Sequence, residues 1–111
     1  MNPTQQEVHD VFGELYQRLT DAYWVASTSV DKDRFRGAAD AVFDILTALN
    51  REDIKSRTAE YTNLKEKVAA VTKKLAVLQS EIDSIIHNVT VATSVVQAIG
   101  KGLDFAAKFF I

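Results

Sequence analysis

The sequence predicts an all-α protein in which an antiparallel helical hairpin packs on one very long, coiled-coil-like helix. The 111 residues include only four glycines and one proline, which are too few for the turns of a β-protein of this size. Apolar residues recur at alternating steps of three and four, the spacing that places them on one side of an α-helix. In the second half of the chain this pattern keeps one seven-residue phase over residues 54–110.

The first helix is predicted over about residues 4–28. Thr4 and Glu7 form a T-x-x-E capping box, in which each side chain bonds to the other residue's backbone N–H. The run Ser27-Thr28-Ser29 favours the end of the helix, because its hydroxyls compete for backbone hydrogen bonds. The apolar face of this helix is Val8, Phe12, Leu15, Leu19, Ala22 and Ala26.

The second helix is predicted over about residues 31–49, with Asp31 as its N-cap. Val30 and Phe35 have the spacing of a hydrophobic staple around that cap. Gly37 lowers the helix propensity, and we expect it to permit close approach to the first helix. The apolar face is Phe35, Ala38, Val42, Ile45 and Leu49.

The third helix is predicted over about residues 51–109, with Asn50 as its N-cap. Its seam has two columns of residues spaced seven apart. The first column is Ile54, Tyr61, Val68, Leu75, Ile82, Val89, Val96, Leu103 and Phe110, and the second is Arg57, Leu64, Val71, Leu78, Ile85, Ala92, Ile99 and Ala106. The unbroken phase favours one continuous helix. A break near residues 87–94, where Asn88 is a candidate cap for a fourth helix, or a bend at residues 100–102 are the alternatives.

Such a long helix has a seam that the hairpin is too short to cover. It would reach about 85–90 Å, against about 36 Å for the first helix. Either the chain folds back on itself, or a second copy or another helical protein covers the rest. The residues predicted to form such an interface are Val89, Val96, Ile99, Leu103, Phe109 and Phe110.

Composition and charge predict a single helical domain over residues 1–111, with a net charge of −2. Residues 1–50 carry eight acids and four bases, whereas residues 51–74 carry four acids and seven bases. The basic side chains of residues 51–74 scatter around the helix and alternate with acids, so they form no single stripe for nucleic acid. A nucleic-acid-associated module is therefore the weakest of three interpretations.

Residues 85–111 suggest a second interpretation, a membrane-active protein of the pore-forming kind. The span from Ser84 to Gly100 has no charged residue, but its 17 positions fall short of the ~20 apolar residues that cross a bilayer. It also contains several polar residues, including Asn88 and Gln97. Burial against protein is therefore the preferred explanation of this apolar composition.

The sequence predicts no catalytic, cofactor or metal site. Its two histidines, His9 and His87, lie in different parts of the chain, and His9 with Asp10 and Glu14 is typical of a solvated polar face. Trp24 beside Tyr23 is more typical of a core or an interface than of a stacking platform. Because the N-terminus lacks a signal peptide, we expect a cytoplasmic protein, with export by another route left open.

These observations together favour a non-enzymatic helical interaction protein. Its partner would be a second copy of the chain or another helical protein, bound through the distal apolar seam. Contact with a membrane is the less favoured alternative, and contact with nucleic acid is not expected.

Overall fold

The computed structural model describes residues 2–51 and 53–111. Within these residues it has four α-helices, one short 3-10 turn and no β-strand, which confirms the predicted all-α class. The elements in chain order are α1 (Gln5–Val25), α2 (Ser29–Leu49), the 3-10 turn (Ile54–Ser56), α3 (Thr58–Ile85) and α4 (Val89–Phe109).

The four helices form a bundle in which α1 packs on α2 and α4, and α3 packs on the same two helices. Short connections make consecutive helices antiparallel. At one end of the bundle the side chain of Gln5 bonds to backbone groups on both sides of the α2–α3 connection. At the opposite end Arg34 of α2 pairs with Glu81 of α3. The molecule measures 43 × 26 × 19 Å.

The start of α1 is the one that the sequence predicts. The Thr4 hydroxyl accepts a hydrogen bond from the Glu7 backbone N–H at 3.1 Å, and the Thr4 N–H donates to the Glu7 carboxylate at 2.9 Å. All six residues of the predicted apolar face are buried. Local capping and helical periodicity therefore determine this helix.

The start of α2 differs from the prediction. Its N-cap is Thr28 rather than Asp31, and the Thr28 hydroxyl accepts from the Asp31 N–H at 3.1 Å. Asp31 instead lies in the first turn, where its carboxylate accepts from the Thr28 hydroxyl. Val30 is 69% exposed, so it does not act as a buried staple. With Thr28 as the cap, its hydroxyl satisfies one backbone N–H and the Asp31 carboxylate still lies beside the positive end of the helix dipole.

The predicted long helix over residues 51–109 is two helices in the structure. Asn50 is the C-cap of α2 rather than an N-cap. The chain then passes through the 3-10 turn, which buries Ile54, before α3 begins at Thr58. Arg57, the polar member of the seam, is exposed.

The break between α3 and α4 falls at residues 86–88, at the edge of the region considered as an alternative. Ile86 and Asn88 have extended backbones, and the Asn88 side chain accepts from the Val91 N–H at 3.1 Å. Folding back at this point lets α4 cover the seam of α3 within the same chain. At the other site considered for a break or bend, α4 continues through Gly100 and Gly102 without ending.

The close helix–helix approach in this bundle occurs at Gly102, not at Gly37. A Cβ atom built on Gly102 would lie 3.0 Å from Leu15 Cδ2 and 3.7 Å from Phe12 Cε1. A Cβ atom built on Gly37 would meet nothing within 4 Å. The missing side chain of Gly102 therefore allows α4 to lie directly on α1.

Tyr61 closes the bundle end where α3 begins and α4 finishes. Its hydroxyl donates to the Phe109 carbonyl at 3.3 Å, and its ring stacks on Phe110 with a centroid distance of 6.0 Å. Burial raises the pKa of Tyr61 above its ordinary value of 10.0, because the charged phenolate is less well solvated there.

The raised pKa of Tyr61 predicts that the free energy of unfolding falls as the pH rises above about 10. The folded state then keeps a proton that the unfolded state has already released. We expect urea midpoints measured from about pH 8 to about pH 11 to fall more steeply for the natural chain than for Tyr61→Phe. The two proteins differ only at position 61, so parallel curves would show that Tyr61 makes no contribution.

Candidate functional site

The six residues predicted to form an interface lie on α4 or at its C-cap, at different depths. Ile99 is fully buried and Phe109 is 4% exposed, so both belong to the core of the chain itself. Val96, Leu103 and Phe110 are half-buried against it. Val89, beside the α3–α4 turn, is 77% exposed. The fold therefore covers most of the distal seam from within.

Two of these three half-buried residues line a shallow furrow between α3 and α4. The furrow has a volume of ≈ 400 Å³, and Leu103 and Phe110 line it together with Lys65 and Lys73. Nearby, the Gln79 side chain donates to the Val96 carbonyl at 3.0 Å and holds the two helices together. This furrow runs along the close contact between α3 and α4, so it exposes little apolar surface that a partner protein could cover.

A larger groove runs between α2 and α3, with a volume of ≈ 670 Å³. Gly37, Ala38 and Ala41 form its α2 wall. Val77, which is 57% exposed, lies on its α3 wall. Its remaining apolar lining is Ala70, Val71, Leu75 and Leu78.

The groove exists because small residues of α2, Gly37, Ala38 and Ala41, line it, while three large apolar residues of the same helix enter the core. Phe35, Val42 and Ile45 are completely buried. The groove is bounded at one end by the Arg34–Glu81 ion pair between α2 and α3. Between the two helices, the absent side chain of Gly37 leaves space open to solvent.

The charged side chains at the groove differ between its two sides. Lys73 and Lys74 stand on the α3 side, and neither forms an ion pair or hydrogen bond within residues 2–51 and 53–111. On the α2 side, Arg34 is held by Glu81 and lies 3.8 Å from Asp31. The α3 side therefore has the more available positive charge.

The polar cluster on α1 gives no sign of acid–base or metal chemistry. His9 Nδ1 lies 3.6 Å from Asp10 Oδ1, whereas the Glu14 carboxylate lies beside Arg18 instead. In the described part of the chain, no three histidine or acidic side chains come together as a metal site. His87 is exposed in the α3–α4 turn.

The apolar residues of α4 face the bundle rather than a continuous outer surface. The buried face is Ala92, Val95, Ala98, Ile99, Gly102, Ala106 and Phe109. None of the helices in the described residues has the length and apolar character needed to cross a membrane. Trp24, predicted to lie in a core or interface, is 71% exposed and packs edge-on against Tyr23.

The comparisons with known proteins give no relative. No family model matches this chain, and no curated protein or solved structure matches it either. Function therefore has to follow from the chain's own residues. The small residues Gly37, Ala38 and Ala41 are a sequence signal for the α2–α3 groove. The sequence does not indicate which neighbouring helix this face of α2 would meet.

Proposed function

We propose that this chain is a non-enzymatic helical interaction protein, whose α2–α3 groove receives an amphipathic helix of a partner protein. The observation that carries the proposal is the largely apolar groove of ≈ 670 Å³ between α2 and α3. An apolar face set in a groove is how amphipathic helices bind many helical proteins. Exposed apolar surface rimmed by charges is typical of interaction sites.

The charges at the groove indicate the kind of helix that would fit. Lys73 and Lys74 would attract acidic side chains on one flank of the partner helix, and Asp33 favours a base on its other flank. Medium-sized apolar residues would lie over Val77 and enter the space beside Gly37. The partner is therefore an amphipathic helix with an acidic flank toward α3.

The proposal is tested with a synthetic helix that carries leucine and alanine on one face and glutamate on one flank. We expect it to perturb the NMR amide signals of Gly37, Ala41, Ala70 and Val77 during titration into the folded protein. A charge-reversed probe, with lysine in place of each glutamate, should bind about tenfold more weakly, because Lys73 and Lys74 would then repel it.

Two matched variants separate groove binding from changes in folding. Gly37→Leu fills the groove, whereas Gly13→Leu adds the same side chain on α1, where a Cβ atom also meets nothing within 4 Å. Both should remain folded, since each replaces glycine within a helix. Only Gly37→Leu should abolish probe binding. Equal binding by both variants, or shifts spread over α1, would contradict the proposed site.

A further inference from the structure

The turn between α3 and α4 has a conformation that needs no special residue. It consists of Ile86, His87 and Asn88, without glycine or proline. Ile86 has φ −116° and ψ 118°, and Asn88 has φ −76° and ψ 106°. All three residue types can also adopt helical angles, at a modest cost in propensity. The sequence thus permits this turn to close into helix.

The seven-residue phase of the seam runs through this turn, although the closed bundle does not require it. Within the closed chain the second column is buried at Ile85 and Ala92, on both sides of the turn. The first column is not, because Val89 is 77% exposed. A helix continuous over residues 58–109 would place both columns on one side of a rod about 78 Å long.

We propose that two copies of this chain exchange α4, with α3 and α4 of each copy joined in one continuous helix. The occupant of the site between α1 and α3 is then α4 of the second copy. The fit is already visible in the closed chain, where Ile99 is fully buried and Gly102 lies against Leu15. The exchange keeps these contacts and turns them into contacts between copies.

The exchanged dimer uses the same six residues that the sequence identifies as an interface. Ile99 and Phe109 would be buried in the second copy, and the half-buried members would border its α3. Val89 would lie near the two-fold axis, where the two continuous helices pass each other. Its exposure in the closed chain is the apolar surface that the exchange gains. The α2–α3 groove takes no part, so this self-association is independent of the proposed helix binding.

The balance between the two forms depends on local terms at the turn. The closed form gains the hydrogen bond from the Val91 N–H to the Asn88 side chain. The open form gains from any residue with a higher helix propensity at positions 87 and 88. The double variant His87→Ala, Asn88→Ala removes this hydrogen bond from the closed form and raises the helix propensity of the turn. Both changes favour the open form. We expect the association constant of the dimer to rise by at least about tenfold.

A proline at position 89 should have the opposite effect. Proline is tolerated at the first position of α4, and Asn88 before it already has the extended backbone that proline requires. In a continuous helix the same proline would remove one backbone hydrogen bond and clash with the preceding turn. Val89→Pro in the double-alanine background should therefore restore the monomer, whereas Val89→Ala should leave the dimer in place.

The experiment is refolding from urea at low and high protein concentration, followed by size exclusion with light scattering. We expect the double-alanine variant to form dimers that persist on dilution, because separating them requires unfolding. Thr28→Ala is the matched control, since it removes the side-chain N-cap of α2 at the α1–α2 turn, as Asn88→Ala removes that of α4. A double-alanine variant that stays monomeric at high concentration would overturn the proposal. A dimer that survives Val89→Pro would overturn it too, because that dimer would need no continuous helix.

Discussion

Ile99→Asp is expected to unfold the chain at 25 °C, whereas Val89→Asp is expected to leave it folded. Ile99 is completely buried, and its replacement loses about 2–5 kcal/mol of apolar packing. The buried, unpaired carboxylate costs several kcal/mol more. Together these losses reach the total stability of about 5–15 kcal/mol that is usual for a domain.

The same substitution at Val89 has almost nothing to disrupt. Val89 is 77% exposed and opens α4, where the helix dipole favours an acidic side chain. We expect its free energy of unfolding to change by less than about 0.5 kcal/mol. Far-UV circular dichroism with urea titration measures both variants. Similar losses of unfolding free energy in both variants would mean that the face of α4 containing Ile99 is not the one that packs on the bundle.

The sequence predicts the elements that local interactions determine. The capping box of Thr4 and Glu7 is present, and the apolar face of α1 is buried as expected. The cap of α2 is displaced to Thr28, because several residues around this turn can act as N-caps and their preferences differ only slightly. The type and approximate bounds of the first two helices are therefore readable from local sequence.

The break between α3 and α4 is the feature that the sequence represents less clearly. A preserved seven-residue phase describes a continuous helix, but it equally permits two helices that face each other across a short turn. The two-helix form is favoured over the continuous helix by the apolar surface that α4 buries when it folds back onto α1. That burial depends on contacts between residues far apart in sequence. The Asn88 cap is the one local signal of this outcome.

The candidate groove depends even more on tertiary packing. The sequence predicts a close approach to α1 at Gly37, yet that approach is made by Gly102 from α4. Both glycines lie within helices and neither has a positive φ, so nothing in their local conformation distinguishes them. The difference appears only once the neighbours of each helix face are known.

Gly102→Leu should therefore destabilise the bundle, while Gly37→Leu should not. The Cβ atom at position 102 would already lie 3.0 Å from Leu15 Cδ2, and both Leu15 and Phe12 are fully buried and have little freedom to move. The longer side chain has to force α1 and α4 apart. Overpacking of this kind costs about 1–3 kcal/mol, sometimes more, and exceeds the ~1 kcal/mol that replacing a helical glycine gains.

A second substitution tests whether the contact itself is the cause. Leu15→Ala alone should cost about 2–5 kcal/mol, because it leaves a cavity in the core. Combined with Gly102→Leu, it opens space for the new side chain, so the double variant should lose less stability than the two single losses together. Urea unfolding of the four proteins gives this coupling energy, which we expect to be about 1–3 kcal/mol. Additive losses would show that Gly102 and Leu15 are not in contact. The close packing of α4 on α1 described above would then be wrong.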